Sequence, residues 1–321
     1  MSKTYKVIGI NLKGMPLGES DRLLTVLTPE AGLIRVVAPR SRSHRSKLGG
    51  RSELFVVNHL LLASGRSLDK IVQADTIESF PGLSQDLRKL TVGQYLAELA
   101  LLQAVAGESQ HELFELVTQH LRQIETLPGA QAIAVLVHAV AQLLTLAGIS
   151  PQVRACCVTQ QPIVPNFHQA NWRIGFSPAV GGTVQLDHLS NGKLEQGQRS
   201  SSIHRLAEPR SPYRTSSPVT QFGALELAVL QQLFQSGAIA ADGRLVVTAS
   251  ATSSPPAMMR AEASAADPEI AMRLEQPIPT HTWLMIERAL RHYAQYYFER
   301  PIRSAELIDS CFAVLNPSLA P

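Results

Sequence analysis

The chain has 321 residues, of which 45% are hydrophobic and 17% are charged, and its 29 Lys and Arg nearly balance its 26 Asp and Glu. This composition excludes a disordered chain, and the 20 Gly and 20 Pro follow no collagen-like period. Three cysteines, two of them adjacent, do not suit a disulfide framework, and the first residues show no apolar leader, so the sequence predicts a cytoplasmic protein.

The first 80 residues show the alternation of apolar and polar side chains that is typical of β-strands. The first such segment covers residues 5–13. Four further apolar runs follow, separated by turn-forming residues, at 22–28, 33–38, 54–62 and 70–77. Five short strands predict a small closed barrel. The oligonucleotide-binding (OB) barrel is the commonest five-stranded barrel that carries a basic loop.

From residue 84 the apolar period changes to 3.6, which predicts helices. The first helix carries its apolar face at Tyr95, Leu99, Leu102 and Val105. Ser109 and Glu112 have the spacing of a capping box at the start of a second helix. The apolar segment 132–149 contains polar residues and lacks basic flanks, so it predicts a buried core helix rather than a membrane span. Further helices are predicted at 222–235 and 281–300.

These changes of pattern predict an α+β protein with several domains. Residues 1–80 form an OB-fold nucleic-acid-binding barrel, residues 81–150 a helical domain, and residues 151–195 an irregular, loop-rich subdomain with short strands near 172–176 and 182–186. Residues 196–321 supply C-terminal helices. Within them, two segments rich in small and polar residues are predicted to be flexible, at 196–221 and 248–268.

Catalytic motifs are missing from the sequence. It contains no glycine-rich phosphate loop, no His-Glu-x-x-His and no Gly-x-Ser-x-Gly elbow. We therefore expect a binding protein and not an enzyme.

Positive charge is concentrated at the start of the chain. Residues 1–80 contain 12 Lys and Arg against 7 Asp and Glu, and residues 31–52 contain no acid at all. The candidate DNA-binding residues are Arg35, Arg40, Arg42, Arg45, Lys47 and Arg51, with Lys13 as a possible addition from the first strand. Such a field indicates a polyanionic partner, because guanidinium groups and serine hydroxyls can contact phosphates without reading sequence. The alternative is a solvated loop with incidental charge.

Base stacking has two candidates on the barrel, Tyr5 and Phe55, although either could instead belong to the core.

A metal site has few candidate ligands. A structural zinc site needs four soft ligands, usually from two Cys-x-x-Cys pairs. Here Gln160 follows Cys157 by three residues, and Gln185 precedes His188 by three. Two convincing ligands are too few, so we expect no zinc and no other cofactor.

Short motifs along the chain resemble those of the bacterial RecO family of recombination mediators. Their order and spacing, rather than any single motif, carry the resemblance. The motifs are at 18–24 (GESDRLL), 32–38 (GLIRVVA), 46–50 (SKLGG), 95–99 (YLAEL), 111–116 (HELFEL), 146–151 (LAGISP), 296–297 (YY) and 303–307 (RSAEL).

The resemblance implies an OB-fold barrel, a helical domain, and a C-terminal part that often carries a four-cysteine zinc module. In this chain the zinc positions correspond to Cys157, Gln160, Gln185 and His188, so a zinc-finger-like subdomain that has lost its metal is expected. The resemblance also implies that the protein binds single- and double-stranded DNA, anneals complementary strands, and helps to load the RecA recombinase with RecR, in the nucleoid-associated cytoplasm.

The resemblance further implies binding to the acidic tail of the single-stranded DNA-binding protein. Such a tail needs a hydrophobic pocket rimmed by cations, for which Arg88, Lys89 and Arg122 are the candidates. Two other functions stay open: a coating or architectural OB-fold protein without mediator activity, and a scaffold whose basic loop binds an acidic protein instead of DNA.

Overall fold

The computed structural model describes residues 3–187, 218–235, 238–239, 245–246 and 268–313. The chain divides into two compact units. The first contains residues up to 129 together with 304–311, and the second contains 130–303 and the residues after 311. The boundaries of the predicted domains lie where the type of secondary structure changes. The two units are instead defined by which residues pack together.

The first unit begins with a closed five-stranded barrel. Its strands are β1 (Thr4–Leu17), β2 (Asp21–Thr28), β3 (Gly32–Ala38), β4 (Val57–Ala63) and β5 (Asp69–Glu78). Their order around the barrel is β1-β2-β3-β5-β4, and β4 closes against β1. Only β3 and β5 pair in parallel. The predicted OB-fold barrel is therefore confirmed, with each predicted strand found within a few residues.

The interior of the barrel is filled by the apolar residues that the alternating pattern places on one face. They are Leu24, Val26, Val36, Ala38, Leu60, Leu62, Ile71 and Ala74. Each large side chain buried in this way contributes roughly 1.5 to 3 kcal/mol to folding. The alternate residues of the same strands face outward and are available to a ligand or to the helices.

Two helices follow the barrel in the first unit, α1 (Leu87–Gln103) and α2 (His111–Thr126). Asp86 caps α1, because its carboxylate accepts from the backbone N–H of Arg88 at 2.8 Å. The capping box predicted for α2 is wrong: Gln110 is the N-cap residue and no side chain caps it. Ser109 instead donates to the carbonyl of Pro29 at 3.3 Å, so a contact with the barrel takes the place of the local cap.

The connection between α1 and α2 packs against the turn between β2 and β3. The backbone N–H of Leu33 donates to the carbonyl of Val105 at 3.2 Å, and Gly107 donates to Ala31. Val105 therefore lies outside α1, and it is exposed, contrary to the predicted helix face. Gly32 has a φ of +61°, and a Cβ there would stand 1.9 Å from the Val105 carbonyl oxygen. Only glycine fits this close approach.

The second unit is built around α3 (Ala132–Leu146), which packs against a long C-terminal helix. Among the described residues one segment, Gly129–Leu146, is long and apolar enough to cross a membrane, and 72% of it is buried inside the protein. Nearly every residue of α3 is buried, as predicted for a core helix.

The remaining elements of the second unit are short strands and helices. Their bounds are β6 (Ile174–Ser177), β7 (Gly182–Val184), β8 (Thr220–Phe222), α4 (Ala224–Leu233), β9 (Ala238–Ile239), β10 (Leu245–Val246), α5 (Pro268–Leu274) and α6 (Thr280–Phe298). The first three strands form a sheet in the order β7-β6-β8. Most of the two segments predicted to be flexible lies outside the described residues, as does His188, but residues 220–221 belong to β8.

The chain returns to the first unit near its end, through Ser304 and the start of α7 (Glu306–Ala313). The hydroxyl and the backbone N–H of Ser304 both donate to the carboxylate of Glu98 on α1, at 2.6 and 2.8 Å. These charge-assisted hydrogen bonds attach the C-terminal segment to α1.

Candidate nucleic-acid interface

Two of the predicted DNA-binding residues lie in one row on the outer face of the barrel. Lys13 on β1 is opposite Thr25 on β2, and Thr25 is opposite Arg35 on β3. Because Val36 faces the interior, Arg35 faces outward, and both cations are exposed. Neighbouring strands are about 4.8 Å apart, so the Cα atoms of Lys13 and Arg35 are about 10 Å apart.

The other five predicted residues lie in the basic loop, residues 39–56, which joins β3 to β4. The loop is a chain of tight turns. Backbone hydrogen bonds join residues three positions apart, from Ser43 to Arg40, from Ser46 to Ser43 and from Gly49 to Ser46, at 3.0 to 3.3 Å. The serines take part in these turns: the Ser43 hydroxyl donates to the Arg40 carbonyl, and Ser46 Oγ accepts from the Leu48 N–H. They hold the loop in shape, so the cations are presented from an ordered backbone.

The first half of the basic loop is fixed to the turn between β1 and β2. The N–H of Arg40 donates to Asp21 Oδ1 at 2.7 Å, and Arg42 donates through its backbone to Ser20 and through its guanidinium to the Gly18 carbonyl. The hydrogen bonds from Arg40 and then from Ser20 lower the pKa of Asp21. The Asp21 carboxylate therefore serves as a hydrogen-bond acceptor for the backbone of the loop.

This anchor lies at the end of β2 far from the helices. β2 begins at Asp21 and ends at Thr28, where the turn to β3 meets the α1–α2 connection. Eight strand residues separate these ends by about 24 Å. The start of the basic loop therefore lies at the opposite end of β2 from the α1–α2 connection.

The second half of the basic loop is held from inside the barrel. Leu48 packs against the interior cluster. The side-chain amides of Asn11 and Asn58, both fully buried, donate to the carbonyl of Arg51 at 2.9 Å. Sequence reasoning missed these two anchors. Asn58 shares the apolar face of its strand with Leu60 and Leu62, but the alternating pattern of the first strand places Asn11 on the polar side. The guanidinium of Arg51 donates to the carbonyl of Lys47 at 3.3 Å.

The seven candidates therefore fall into two groups. Arg40, Arg42 and Arg51 help to shape the loop through their backbone or guanidinium hydrogen bonds. In the described part of the chain, the side chains of the other four make no hydrogen bond or ion pair. The Arg40 guanidinium makes none either, but its charge interacts with the Asp21 carboxylate. We call the four the free cations: Lys13, Arg35, Arg45 and Lys47. All four are exposed, so their charge is available to a polyanion.

Of the two predicted stacking residues, Phe55 is buried and Tyr5 is partly buried. Phe55 is 4% exposed, and a Cβ at Gly93 on α1 would lie 3.4 Å from its ring. Tyr5 packs against the barrel interior and donates its hydroxyl to Asp69. Burial first, and then this hydrogen bond and the charge of Asp69, raise the pKa of Tyr5 to about 12. Phe55 is therefore a core residue, and the Tyr5 ring is held against the barrel by packing and by its hydrogen bond to Asp69.

Three cations are candidates for the rim of a pocket that binds the acidic tail of the single-stranded DNA-binding protein. Two of them already have partners within the chain. Arg122 makes a bidentate ion pair with Glu78, at 2.6 and 2.7 Å, which raises the pKa of the guanidinium. Lys89 donates its ammonium group to the carbonyl of Glu125 at 2.7 Å. In the described residues the side chain of Arg88 has no such partner.

The described residues of the loop-rich subdomain, 151–187, do not fit a zinc ion. The side-chain amide of Gln160 donates to the backbone carbonyl of Cys157 at 3.1 Å, so this residue is not positioned as a ligand beside that thiol. Cys156 is the more deeply buried thiol. Burial alone would raise its pKa, but hydrogen bonds from Thr159, Gln185 and Val158 outweigh burial and lower it. Within the described residues no three potential metal-binding side chains converge.

Comparison with known proteins supports the barrel and the order of the motifs. The family described as "Recombination protein O N terminal" matches residues 1–80, and the one described as "Recombination protein O C terminal" matches residues 84–203. A DNA repair protein RecO from Acaryochloris marina is 48% identical over 317 residues, covering 98% of this chain and 97% of the relative. DNA repair proteins RecO from Cyanothece sp. and Nostoc sp. are 46% and 45% identical, covering 100% and 98% of both chains. With its OB-fold barrel and this similarity along almost its whole length, the chain belongs to the RecO family of DNA repair proteins.

Proposed function

We propose that this chain is a recombination mediator that binds single- and double-stranded DNA through the outer face of β1–β3 and the basic loop. The observation that carries the proposal is the set of four free cations, all exposed on the barrel or on the loop that leaves it. Each can neutralise a phosphate without first breaking an intramolecular ion pair. Contacts of this kind bind any sequence and weaken as salt rises.

Strand annealing follows from an interface made of cations. Neutralising two backbones lowers the repulsion between complementary strands. The Phe55 ring is buried, and the Tyr5 ring packs against the barrel and donates to Asp69. We therefore expect neither ring to compete with base pairing by stacking on a base. The strands are held by their phosphates, and their base edges stay free to pair.

The proposed role includes three protein partners. We propose that the chain binds the acidic tail of the single-stranded DNA-binding protein, acts with RecR, and promotes loading of RecA. An acidic tail needs accessible cations, and the half-buried Arg88 is the one rim candidate whose side chain has no partner among the described residues. We propose that the protein works in the nucleoid-associated cytoplasm, with no catalytic turnover and no cofactor.

The test is annealing of complementary oligonucleotides coated with their single-stranded DNA-binding protein. The intact chain is compared with a variant in which the four free cations are replaced, Lys13→Ala, Arg35→Ala, Arg45→Ala and Lys47→Ala. A Lys3→Ala/Lys6→Ala variant is the control, because Lys6 pairs with Leu61 on the β1–β4 side of the barrel, away from the proposed surface.

We expect the intact chain and the control to accelerate annealing and the fourfold variant to lose at least tenfold in rate, an order-of-magnitude estimate from the loss of about four phosphate contacts. No acceleration by the intact chain would favour a scaffold that binds an acidic protein. Annealing of bare strands without displacement of the coating protein would favour an architectural OB-fold protein.

A further inference from the structure

The hairpin of β1 and β2 extends beyond the part of the barrel that β4 closes. β4 pairs with β1 over residues 4–10, whereas β2 pairs with it as far as Leu17. Within the described structure, residues 13–17 of β1 are therefore an edge strand that is paired on one side. All five residues are exposed, so the side chains on the outer face of this segment are accessible.

Two large apolar side chains lie on this outer face beside the free cations. The register with β2 is regular from Lys13 to Leu17, so alternate residues point the same way. Met15 and Leu17 therefore share the outer face with Lys13, which lies in one row with Arg35. Met15 is 45% exposed and Leu17 is 37% exposed. Nothing in the described part of the chain covers them, although they stand next to a surface that suits a polyanion.

Positive charge lies on both sides of the apolar pair. The row of Lys13 is at one end. At the other end Leu17 is followed by Gly18, whose carbonyl accepts from the Arg42 guanidinium at 3.2 Å. The turn itself carries an acid, Glu19, which disfavours phosphate at the tip. A strand whose phosphates follow the cations would thus have its bases, and not its phosphates, over Met15 and Leu17.

The geometry of the segment favours a single strand of nucleic acid over a strand of protein. Pro16 has no backbone N–H, and proline on an edge hinders the addition of a strand from another chain. The Cα atoms of Met15 and Leu17 are about 7 Å apart, which is twice the rise of about 3.4 Å per nucleotide in a duplex strand. Two side chains at this separation match bases that are pulled apart. In a duplex the base faces are already covered by stacking.

We infer that Met15 and Leu17 contact the faces of unstacked bases in single-stranded DNA, so that part of the affinity is specific to single strands and independent of salt. The inference rests on the proposed function, because the cations around the pair must first bring a strand to the barrel. Aliphatic side chains on the faces of the bases leave the base edges free to pair.

The test compares the full chain with a Met15→Ala/Leu17→Ala variant. Fluorescence anisotropy measures binding to labelled oligo-dT and to a duplex of the same length at several salt concentrations. We expect the variant to bind oligo-dT about three- to tenfold more weakly, with an unchanged slope of log affinity against log salt, because no phosphate contact is removed. Its affinity for the duplex should equal that of the native chain.

Two further variants are controls. Met15→Leu/Leu17→Met keeps apolar side chains at both positions and should retain the native affinity. Val72→Ala/Ile77→Ala removes two other exposed apolar side chains, 57% and 48% exposed, on the part of β5 that pairs with β4. This variant should also bind like the native chain.

A second measurement uses the unmodified protein and does not depend on the folding of a variant. Exposed methionines are oxidised to the sulfoxide by peroxide, and mass spectrometry identifies them. Saturating oligo-dT should slow the oxidation of Met15 at least about threefold. Met272 on α5, which is 55% exposed, is the internal reference and should be oxidised at the same rate with and without oligo-dT.

Unchanged affinity of the alanine variant for oligo-dT would overturn the inference, and so would a shallower salt slope, an equal loss on the duplex, or protection of Met15 no greater than that of Met272. A smaller species of this variant in sedimentation would show that the pair joins two copies of the chain, and would also overturn it. The proposed function fails in a different way: the native chain would not bind oligo-dT, or replacement of the four free cations would leave binding unchanged.

Discussion

The salt dependence of single-stranded DNA binding gives a quantitative prediction. Each phosphate neutralised on a single strand contributes about 0.7 to the slope of log affinity against log salt. Four free cations therefore predict a slope of about −3, and Arg40 and Arg42, on the same loop, extend it towards −4. Between about 50 and 200 mM salt, a slope of −3 corresponds to a loss of affinity of roughly 60-fold.

Two double variants measure how much each pair of cations contributes to the salt dependence. Lys13→Ala/Arg35→Ala removes the pair on the barrel face, and Arg45→Ala/Lys47→Ala removes the pair on the basic loop. Each should reduce the slope by about 1.4. The assay is fluorescence anisotropy of a labelled oligo-dT at several salt concentrations. None of the four side chains makes an intramolecular hydrogen bond within the described residues, so each substitution should change the free energy of unfolding by less than about 0.5 kcal/mol.

The control is Lys3→Ala/Lys6→Ala, which changes net charge by the same amount. Its slope should equal that of the intact chain. If all three double variants share one slope, or if the control loses as much as the others, binding depends on net charge and not on the proposed surface. That result would refute the reasoning.

Three further predictions concern stability. Gly32→Ala should cost roughly 2 to 4 kcal/mol in chemical denaturation, because a Cβ there meets the Val105 carbonyl at 1.9 Å in a left-handed conformation; an unchanged midpoint would contradict the close approach. Ser304→Ala should cost about 1 to 2 kcal/mol by losing a charge-assisted hydrogen bond, and no loss would show that the C-terminal segment is not held there. Since the pKa of Tyr5 is raised from 10 to about 12, its contribution is complete below pH 10 and is lost as pH rises to 12. Tyr5→Phe should therefore flatten the decline in stability over that range, and an identical decline in both proteins would contradict the raised pKa of Tyr5.

Much of the barrel could be predicted because its strands are half-buried. A single apolar face per strand imposes a period of two, and this period is visible at positions such as Leu24, Val26 and Val36. The basic segment was also visible, since charge and its sign are properties of the sequence itself.

What could not be predicted depends on contacts between distant residues. Ser109 and Glu112 have the spacing of a cap, but Ser109 is drawn to the Pro29 carbonyl on the barrel. The apolar residue Phe55 gives no sign in sequence of whether it faces a ligand or α1.

Lysine footprinting of the unmodified protein tests the proposed surface most directly. The intact chain is labelled with an amine-reactive reagent with and without saturating single-stranded DNA, and the labelled lysines are identified by mass spectrometry. The account predicts strong protection of Lys13 and Lys47 and no protection of Lys3 and Lys6. Protection of Lys3 and Lys6, or equal labelling of Lys13 and Lys47 in both samples, would contradict it.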